Sequence, residues 1–404
     1  MRRAVSIAAA CALLGAGPAA CQSEQGATAS RPAPLPAPTV TERLEVRQAR
    51  TPSAAQLVIT QRRPGADADG TQVLALGLTD DGALVTAASR PLPGKEGAVA
   101  IAPTTVRLER PGEPRALPAS TAADAPYQAV YSGADARTVT WIESSSTELD
   151  FFEWRVLAHD RATGTTTLLA DSAPFAAGAR LPVVPGESVP SVGGGRVVWA
   201  TSVKLPGDDA YEARIVARAA DGRSPLVTLA AGAKLPVALG HEVYYVRSPD
   251  VAPALAGRFE LRVVDAAGHD ALVRAVPLAP GENVNALVAQ PGYLAWVVGS
   301  AETGARLEVL DRRTLRVLEV ALDTPAASVL LAATPEHLVF ATGSGAGDGG
   351  QYLLELPSAR LWSLGAAPGY SLAYAAGDFV AWSFLGAHPE NPAENGFLVA
   401  RWHP

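Results

Sequence analysis

The stretch SVGGGRVVWA, residues 191–200, combines a tight three-glycine turn with a short apolar run that contains Trp199. The same arrangement of turn, apolar run and one large aromatic side chain occurs six times along the chain, at Trp141, Trp199, Tyr245, Trp296, Phe340 and Trp382. The spacings between these aromatic residues are 58, 46, 51, 44 and 42 residues. Repeats of this length, each with several short strands, are typical of a β-propeller.

Each repeat has the sequence pattern of four short strands. A short apolar segment precedes the turn, as at 235–239, and the aromatic strand follows it. After a loop of variable length comes a segment of alternating hydrophobicity, as at 260–266, and alternation with period two is typical of a half-buried strand. A polar turn then leads to a final strand, as at 165–170. The sequence therefore predicts an all-β protein, a β-propeller of four-stranded antiparallel blades with the aromatic residues packed between neighbouring blades.

The last repeat predicts how the ring closes. It ends with FLVARWHP (397–404), its third strand, so an N-terminal strand is needed to complete the blade and cover its edge. The segment ERLEVRQ (42–48) alternates suitably for this role. Residues 56–88 read as the first full blade, and residues 91–118 read as either a trimmed blade or an elaboration. The prediction is a propeller of seven or eight blades.

The repeat pattern over residues 120–404 resembles the TolB-like propellers of exported bacterial proteins. Between the alternating strand and the final strand, that family has a turn of the type D-x-x-T-G. The segment DRATG (160–164) matches this turn best. The resemblance implies the architecture. It implies no single activity, because propellers carry many functions.

The N-terminus has the order of a secretory signal peptide. Residues 1–21 contain two arginines, an apolar stretch, then small residues before Cys21. This segment resembles that of a bacterial lipoprotein, in which the cysteine carries fatty acyl groups such as palmitate. Ala19 and Ala20 fit that family, whereas Pro18 stands where it usually has leucine. The alternative is ordinary cleavage near Ala20.

The expected domain organisation follows from this start. After the signal peptide, residues 22–40 form a disordered tether rich in Pro and Ala, and residues 41–404 form the propeller. The lipoprotein resemblance implies a protein anchored in the cell membrane through Cys21 and facing outward. Ordinary cleavage would leave it secreted or periplasmic. The net charge is −7 and no cluster of Lys or Arg is present, which argues against nucleic acid as a partner.

The long loops between the second and third strands of the repeats all emerge on one face of a propeller. They are rich in acidic and aromatic residues, and loops on one side of a rigid scaffold commonly carry binding sites. The residues predicted to bind a partner are Asp150, Phe151, Phe152, Asp208, Asp209, Tyr211, Glu212, Glu390 and Glu394. The expected partner is an envelope protein or polymer steered by the acidic field. The alternative is a solvated acidic rim.

Local motifs for catalysis or metal binding are missing from the sequence. The six histidines fall singly in different repeats, and GYSLA (369–373) lacks the second glycine of a nucleophile elbow. GADADGTQ (65–72) lacks the acidic first residue and terminal Glu of a calcium loop. The expectation is a monomeric binding scaffold that is not an enzyme and has no catalytic residue, metal or cofactor. The alternative is a small-ligand-binding, hydrolytic or lyase propeller with a site in the central channel.

Overall fold

The computed structural model describes residues 40–403 except for 91–102, 112, 119–126, 146–152, 187–188, 208–209, 301, 303, 326–328, 344–348, 367–372 and 385–393. Almost all regular structure in this part of the chain is β-strand. Two strands, β1 (Val40–Glu45) and β2 (Leu57–Pro64), precede the first blade, with a 3₁₀ turn at Val46–Gln48 between them.

Blades 1 to 3 are four-stranded antiparallel sheets formed by strands that follow one another in the chain. Blade 1 contains β3 (Gln72–Leu78), β4 (Leu84–Ser89), β5 (Thr105–Arg110) and β6 (Glu113–Ala116). Blade 2 contains β7 (Gln128–Ala134), β8 (Thr138–Ser144), β9 (Trp154–Asp160) and β10 (Thr165–Asp171). A short helix, α1 (Ala173–Ala176), leads to blade 3, which contains β11 (Ser191–Gly193), β12 (Arg196–Lys204), β13 (Tyr211–Ala219) and β14 (Val227–Ala231).

Blades 4 to 7 repeat this arrangement. Blade 4 contains β15 (Lys234–Leu239), β16 (Glu242–Arg247), β17 (Arg258–Val264) and β18 (Asp270–Pro277), with a 3₁₀ turn at Pro253–Leu255. Blade 5 contains β19 (Asn283–Ala289), β20 (Tyr293–Ser300), β21 (Gly304–Asp311) and β22 (Val317–Leu322). Blade 6 contains β23 (Val329–Ala333), β24 (His337–Thr342), β25 (Gly350–Glu355) and β26 (Arg360–Ala366). Blade 7 contains β27 (Ala373–Ala376), β28 (Phe379–Phe384) and β29 (Gly396–Trp402), completed by β2.

The two faces of the ring differ in their connections. The turns from the first to the second strand of each blade, and from the third to the fourth, lie on what we call the short-turn face. The loops from the second to the third strand, and the connections between blades, lie on the opposite, long-loop face. This follows from the antiparallel order of every blade, since alternate connections of an antiparallel sheet lie on the same side.

The core consists of apolar clusters between neighbouring blades. The described residues form seven such clusters, one at each blade junction of the ring. Each recurrent aromatic residue is buried against the preceding blade, as Trp199 of blade 3 is against Ile142 and Val156 of blade 2. Trp296 likewise packs with Val246 of blade 4. The sequence prediction that these aromatic residues fill the space between blades is confirmed.

The ring has seven blades, and an N-terminal strand closes it as expected. The closing strand is β2, which pairs with β29 from Leu57 opposite Trp402 to Pro64 opposite Gly396. It is not the alternating segment 42–48. The irregular region 91–118 is not a separate blade, because it contains β5 and β6, which form the outer half of blade 1. Blade 1 therefore begins at β3, since β2 belongs to blade 7.

The segment before β2 runs along the outer edges of blades 5 and 6. β1 adds a fifth strand to blade 5 by pairing in parallel with β22. Val46 is then buried in the cluster between blades 5 and 6. The backbone of Arg50 follows along blade 6, where its N–H donates to Leu361 O (3.0 Å) and its oxygen accepts from the N–H of Ser363 (2.7 Å). This segment, residues 40–50, is a strap that crosses two blades before the chain closes the ring.

A buried ion network fixes the junction between the closing strand and blade 1. Arg63 of β2 donates to Glu109 of β5 and to Asp67 Oδ1 (2.6 Å), and Asp67 Oδ2 accepts from Arg107 (2.8 Å). The Glu109 carboxylate also accepts from the hydroxyl of Thr86 (2.9 Å). Burial raises the pKa of Asp67, but the hydrogen bonds from Arg107 and Arg63 outweigh it and hold that pKa below its usual value.

Replacing Glu109 by Gln should destabilise the protein by about 2 kcal/mol, because the Arg63 guanidinium loses one of its two carboxylate partners and keeps only Asp67. The Arg43–Glu319 pair serves as the control, since the Arg43 side chain is 73% exposed. Arg43→Ala should cost less than about 1 kcal/mol. Urea-induced unfolding of the two variants measures both values, and equal costs would contradict the role given to the network.

Candidate functional site

The first strands of all seven blades surround a cavity of about 530 Å³ on the axis of the ring. Its wall is formed by residues of β3, β7, β11, β15, β19, β23 and β27, together with Val189 and Pro190 just before β11 and Gln290 just after β19. Every blade thus contributes to one site although no two contributions are close in sequence.

Close approach of the blades near the axis requires small residues in this wall. A β-carbon at Gly133 of β7 would lie 2.2 Å from the backbone oxygen of Pro190, which precedes blade 3. A β-carbon at Gly77 of β3 would lie 2.5 Å from Ser132 Oγ. Contacts this short leave no room for a side chain, so glycine permits the inner strands to converge.

The cavity wall is uncharged. Its described lining contains no Asp, Glu, Lys, Arg or His, and most of its side chains are those of Ala, Val and Leu. Leu74 of β3 keeps 44% of its surface accessible although it lines the cavity. The channel therefore presents mainly hydrocarbon to whatever occupies it.

Several polar side chains of the wall are already bonded to a neighbouring blade. The Gln290 amide donates to Ala333 O (3.0 Å) between blades 5 and 6. The Tyr374 hydroxyl donates to Ala75 O (3.0 Å) between blades 7 and 1. Ser191 Oγ accepts a backbone N–H of blade 4 (3.0 Å). These hydrogen bonds hold adjacent inner strands together. The same side chains are polar groups that a ligand in the channel would contact.

The residues predicted to bind a partner on the long-loop face are only partly within the described structure. Asp150, Phe151, Phe152, Asp208, Asp209 and Glu390 lie outside the described residues. Tyr211 and Glu212 lie together at the start of β13, and Glu394 lies just before β29. Tyr211 is 36% exposed, and the Lys204 ammonium is 4.9 Å from the centre of its ring.

Two acidic groups that the sequence assigns to the long loops are paired with arginines. Glu212 accepts from Arg214 Nε (2.7 Å). Glu143, which the sequence places at the start of a long loop, is buried and accepts from Arg155 Nε (2.5 Å). The negative field of these groups is reduced because each has a guanidinium partner.

A buried lysine at the same face was not found from the sequence. The Lys234 side chain is fully buried, and its ammonium donates to Asp250 Oδ2 (2.5 Å) and Asn283 Oδ1 (3.3 Å). Burial lowers the pKa of Lys234, which Asp250 partly offsets. Burial raises the pKa of Asp250, but Lys234 and hydrogen bonds from Ser248 and Asn283 hold it below its usual value. The cluster joins blades 4 and 5.

The calcium-like loop 65–72 makes structural ion pairs. Asp67 belongs to the network around Arg63, and Asp69 accepts from the N–H of Thr71 (3.0 Å) and from Arg90 (3.0 Å). In the part of the chain that the structure describes, no three His, Cys, Asp or Glu side chains form a group that could hold a metal ion. No helix in the same part is long and apolar enough to span a membrane.

Comparison with known proteins supports the fold and not a family. No family model matches the chain, and no curated protein matches it. Oligogalacturonate lyase in complex with manganese resembles it with a TM-score of 0.52 and 10% identity, covering 88% of this chain and 98% of the lyase. TolB from Acinetobacter baumannii matches with a TM-score of 0.42 and 12% identity. The match covers 66% of this chain and 61% of the length of the TolB chain. A puromycin-hydrolyzing peptidase from Mycobacterium tuberculosis matches with a TM-score of 0.45 and 16% identity, covering 89% of this chain and 62% of that one.

The similarity to the lyase agrees with the propeller architecture expected from the repeats, and it corrects one expectation. The missing catalytic motif favours the prediction that the protein is not an enzyme. That inference is wrong, because an enzyme, the lyase, shares this fold over most of both chains. Propeller enzymes can draw single residues from separate blades, so a local motif need not be present.

Replacing Gly133 by Ala should destabilise the protein by about 2 kcal/mol, because its β-carbon would overlap the backbone oxygen of Pro190. Gly292 is the matched control, since a β-carbon there has no atom within 4 Å. Gly292→Ala should change stability by less than about 0.5 kcal/mol. Thermal unfolding of both variants tests the close approach of blades 2 and 3, and an unchanged Gly133→Ala melting temperature would refute it.

Proposed function

We propose that the protein binds a neutral, largely apolar small molecule in its central channel. The observation that carries the proposal is the uncharged cavity of about 530 Å³ to which all seven blades contribute. Small-molecule sites are typically cavities of about 300–1,000 Å³, lined mainly by apolar side chains with a few polar groups. The channel has both the size and the composition of such a site.

The absence of charged side chains in the described wall favours a ligand without net charge. An ion transferred from water into an apolar cavity loses its hydration, and this is offset only where an opposite charge or several hydrogen bonds replace it. The described wall offers no charged side chain and only scattered amide and hydroxyl groups such as Gln290 and Tyr374. A neutral molecule, or the apolar part of an amphiphile, is therefore favoured.

Binding of an envelope protein or polymer at the long-loop face stays a prediction. Six of the nine residues assigned to it lie outside the described structure. Of the three that are described, Glu212 is paired with Arg214. None of the described contacts favours this face over the channel.

We also propose that Cys21 carries fatty acyl groups and anchors the protein on the outer side of the cell membrane. The support is the order of residues 1–21, with Ala19 and Ala20 before the cysteine, followed by a Pro- and Ala-rich segment. The anchor would hold the channel near a membrane, which is itself a source of neutral and amphiphilic molecules.

Replacing Leu74 by Asp should raise the Kd for N-phenyl-1-naphthylamine, a neutral fluorescent probe, by at least about tenfold, because it puts a carboxylate in the apolar wall. Leu272→Asp is the matched control, since Leu272 is 50% exposed on the outermost strand of blade 4. Fluorescence titration measures both. No binding by the wild type, or equal loss in both variants, would exclude the channel as the site.

Replacing Cys21 by Ser should abolish incorporation of radiolabelled palmitate and release the protein from the membrane fraction. Cys11→Ser is the control, because the chain has only these two cysteines and Cys11 lies within the apolar stretch. Label retained in the Cys21→Ser protein would refute acylation at this residue.

A further inference from the structure

We infer that the turn between β21 and β22, residues 311–316, lies against the anionic surface of a lipid bilayer and places Leu315 in its interfacial region. The inference rests on the proposed acyl anchor at Cys21, and it specifies which part of the ring contacts the membrane. It is carried by the conformation and exposure of Leu315, by the arginines beside it and by the point at which the chain from Cys21 joins blade 5.

Leu315 occupies a backbone conformation that favours glycine. Its φ is 58°, in the left-handed region, where a β-carbon and a bulky side chain are disfavoured. The blade 2 turn is equivalent, since the N–H of Gly164 donates to Asp160 O (2.8 Å) as that of Leu315 donates to Asp311 O (2.9 Å). In the turns from the third to the fourth strand of blades 2, 3, 4 and 6, the left-handed residue is small, namely Gly164, Gly222, Gly268 and Ala359. The geometry of the turn therefore does not explain a leucine at this position.

Packing within the protein does not explain the leucine either. The Leu315 side chain is 46% exposed, and Arg313, Thr314 and Arg316 around it are exposed as well. A side chain this accessible recovers only part of the free energy that full burial of a leucine provides. Residues held in unfavourable backbone conformations occur mainly at functional sites. Leu315 therefore presents apolar surface to a partner outside the chain.

The arginines of the turn indicate the charge of that partner. Arg313 and Arg316 lie on either side of Leu315, and both are exposed. Arg312 is held against blade 4, where it donates to the Tyr244 hydroxyl (2.6 Å). Arginines beside an exposed apolar side chain match the interface of an anionic bilayer, where the apolar group enters the headgroup region and the guanidinium groups meet lipid phosphates.

The acidic side chains next to these arginines have partners of their own. Asp311 Oδ1 accepts from the backbone N–H groups of Arg313 and Thr314 (2.8 Å each). The Glu242 carboxylate of blade 4 lies 3.8 Å from the Arg312 guanidinium. Neither carboxylate depends on the two exposed arginines for an ion pair, so both arginines are available to lipid headgroups.

The chain from the proposed anchor joins the ring beside this turn. β1 begins at Val40, which pairs with Val317, two residues after Leu315. Because β1 and β22 are parallel, Val40 lies at the short-turn end of blade 5. The tether, residues 22–39, can span at most about 60 Å between Cys21 and Val40. An anchored protein therefore has this edge of blade 5 close to the bilayer, with the turn on the side where the tether joins it.

The test places one fluorescent label in this turn and another in the equivalent turn of blade 2. Thr314→Cys and Thr163→Cys introduce the labelling sites at exposed residues, in a full chain that also carries Cys11→Ser. The acylated proteins are labelled with a nitrobenzoxadiazole maleimide and reconstituted in vesicles of equal parts phosphatidylglycerol and phosphatidylcholine. Quenching by a lipid with a nitroxide on its acyl chain measures the contact of each label with the bilayer.

The label at Thr314→Cys should be quenched at least about threefold more strongly than the label at Thr163→Cys. Adding Leu315→Gly, or Arg313→Gln together with Arg316→Gln, should remove at least about half of this difference. Leu315→Gly should also change the melting temperature by less than about 3 °C, because glycine accepts the left-handed conformation without strain.

Equal quenching of the two labels on membrane-bound protein, or quenching that neither added substitution reduces, would overturn the inference. So would a larger fall in the melting temperature of the Leu315→Gly protein, since Leu315 would then serve folding. Protein that does not stay with the vesicles would instead overturn the proposed anchor at Cys21, so the two failures are distinguishable.

Discussion

The antiparallel pairing of β2 with β29 is the contact on which the rest of the ring depends. Six of the seven blade junctions join blades that follow one another in the chain, but the junction of blades 7 and 1 joins opposite ends of the domain. β2 belongs to blade 7 by its hydrogen bonds and leads directly into blade 1 along the chain. Arg63 adds a buried ion pair across the same junction. Closure also brings the inner strands of blades 7 and 1 together, where Tyr374 donates to Ala75 O, and this encloses the channel.

The repeat could be predicted from the sequence because the information is local. A turn, an apolar run and a buried aromatic residue such as Trp199 or Trp296 lie within ten residues of one another, and they recur in phase. The assignment of the closing strand failed because 42–48 and 57–64 both have patterns suitable for an outer strand. Only the partner decides between them, and the partners, β22 and β29, lie more than 250 residues away. The blade count was ambiguous for the same reason, since β2 had been assigned to blade 1.

The candidate site could be predicted only in its general character. Segments such as 235–239 showed that the inner strands are poor in reactive groups, and the uncharged cavity agrees with this. The Lys234 cluster had no sequence signal, because Asp250 and Asn283 are 16 and 49 residues from it. The contact of Gly186 with the inner strands of blades 4 and 5 had no sequence signal either. The acidic residues of the long-loop face gave a strong compositional signal, but composition does not reveal that Glu143 and Glu212 have arginine partners.

The geometry that makes the ring stable also determines what its channel can bind. Seven blades converge on one axis, so the inner strands approach closely and accept only glycine, alanine and a few larger apolar residues at the contacts. A charged side chain in the wall would lose hydration there without gaining a partner, because the neighbouring positions are also apolar. Several of the polar groups that remain, such as those of Gln290 and Tyr374, are satisfied between blades. Specificity in such a channel rests more on the shape of the cavity than on any single group in its wall.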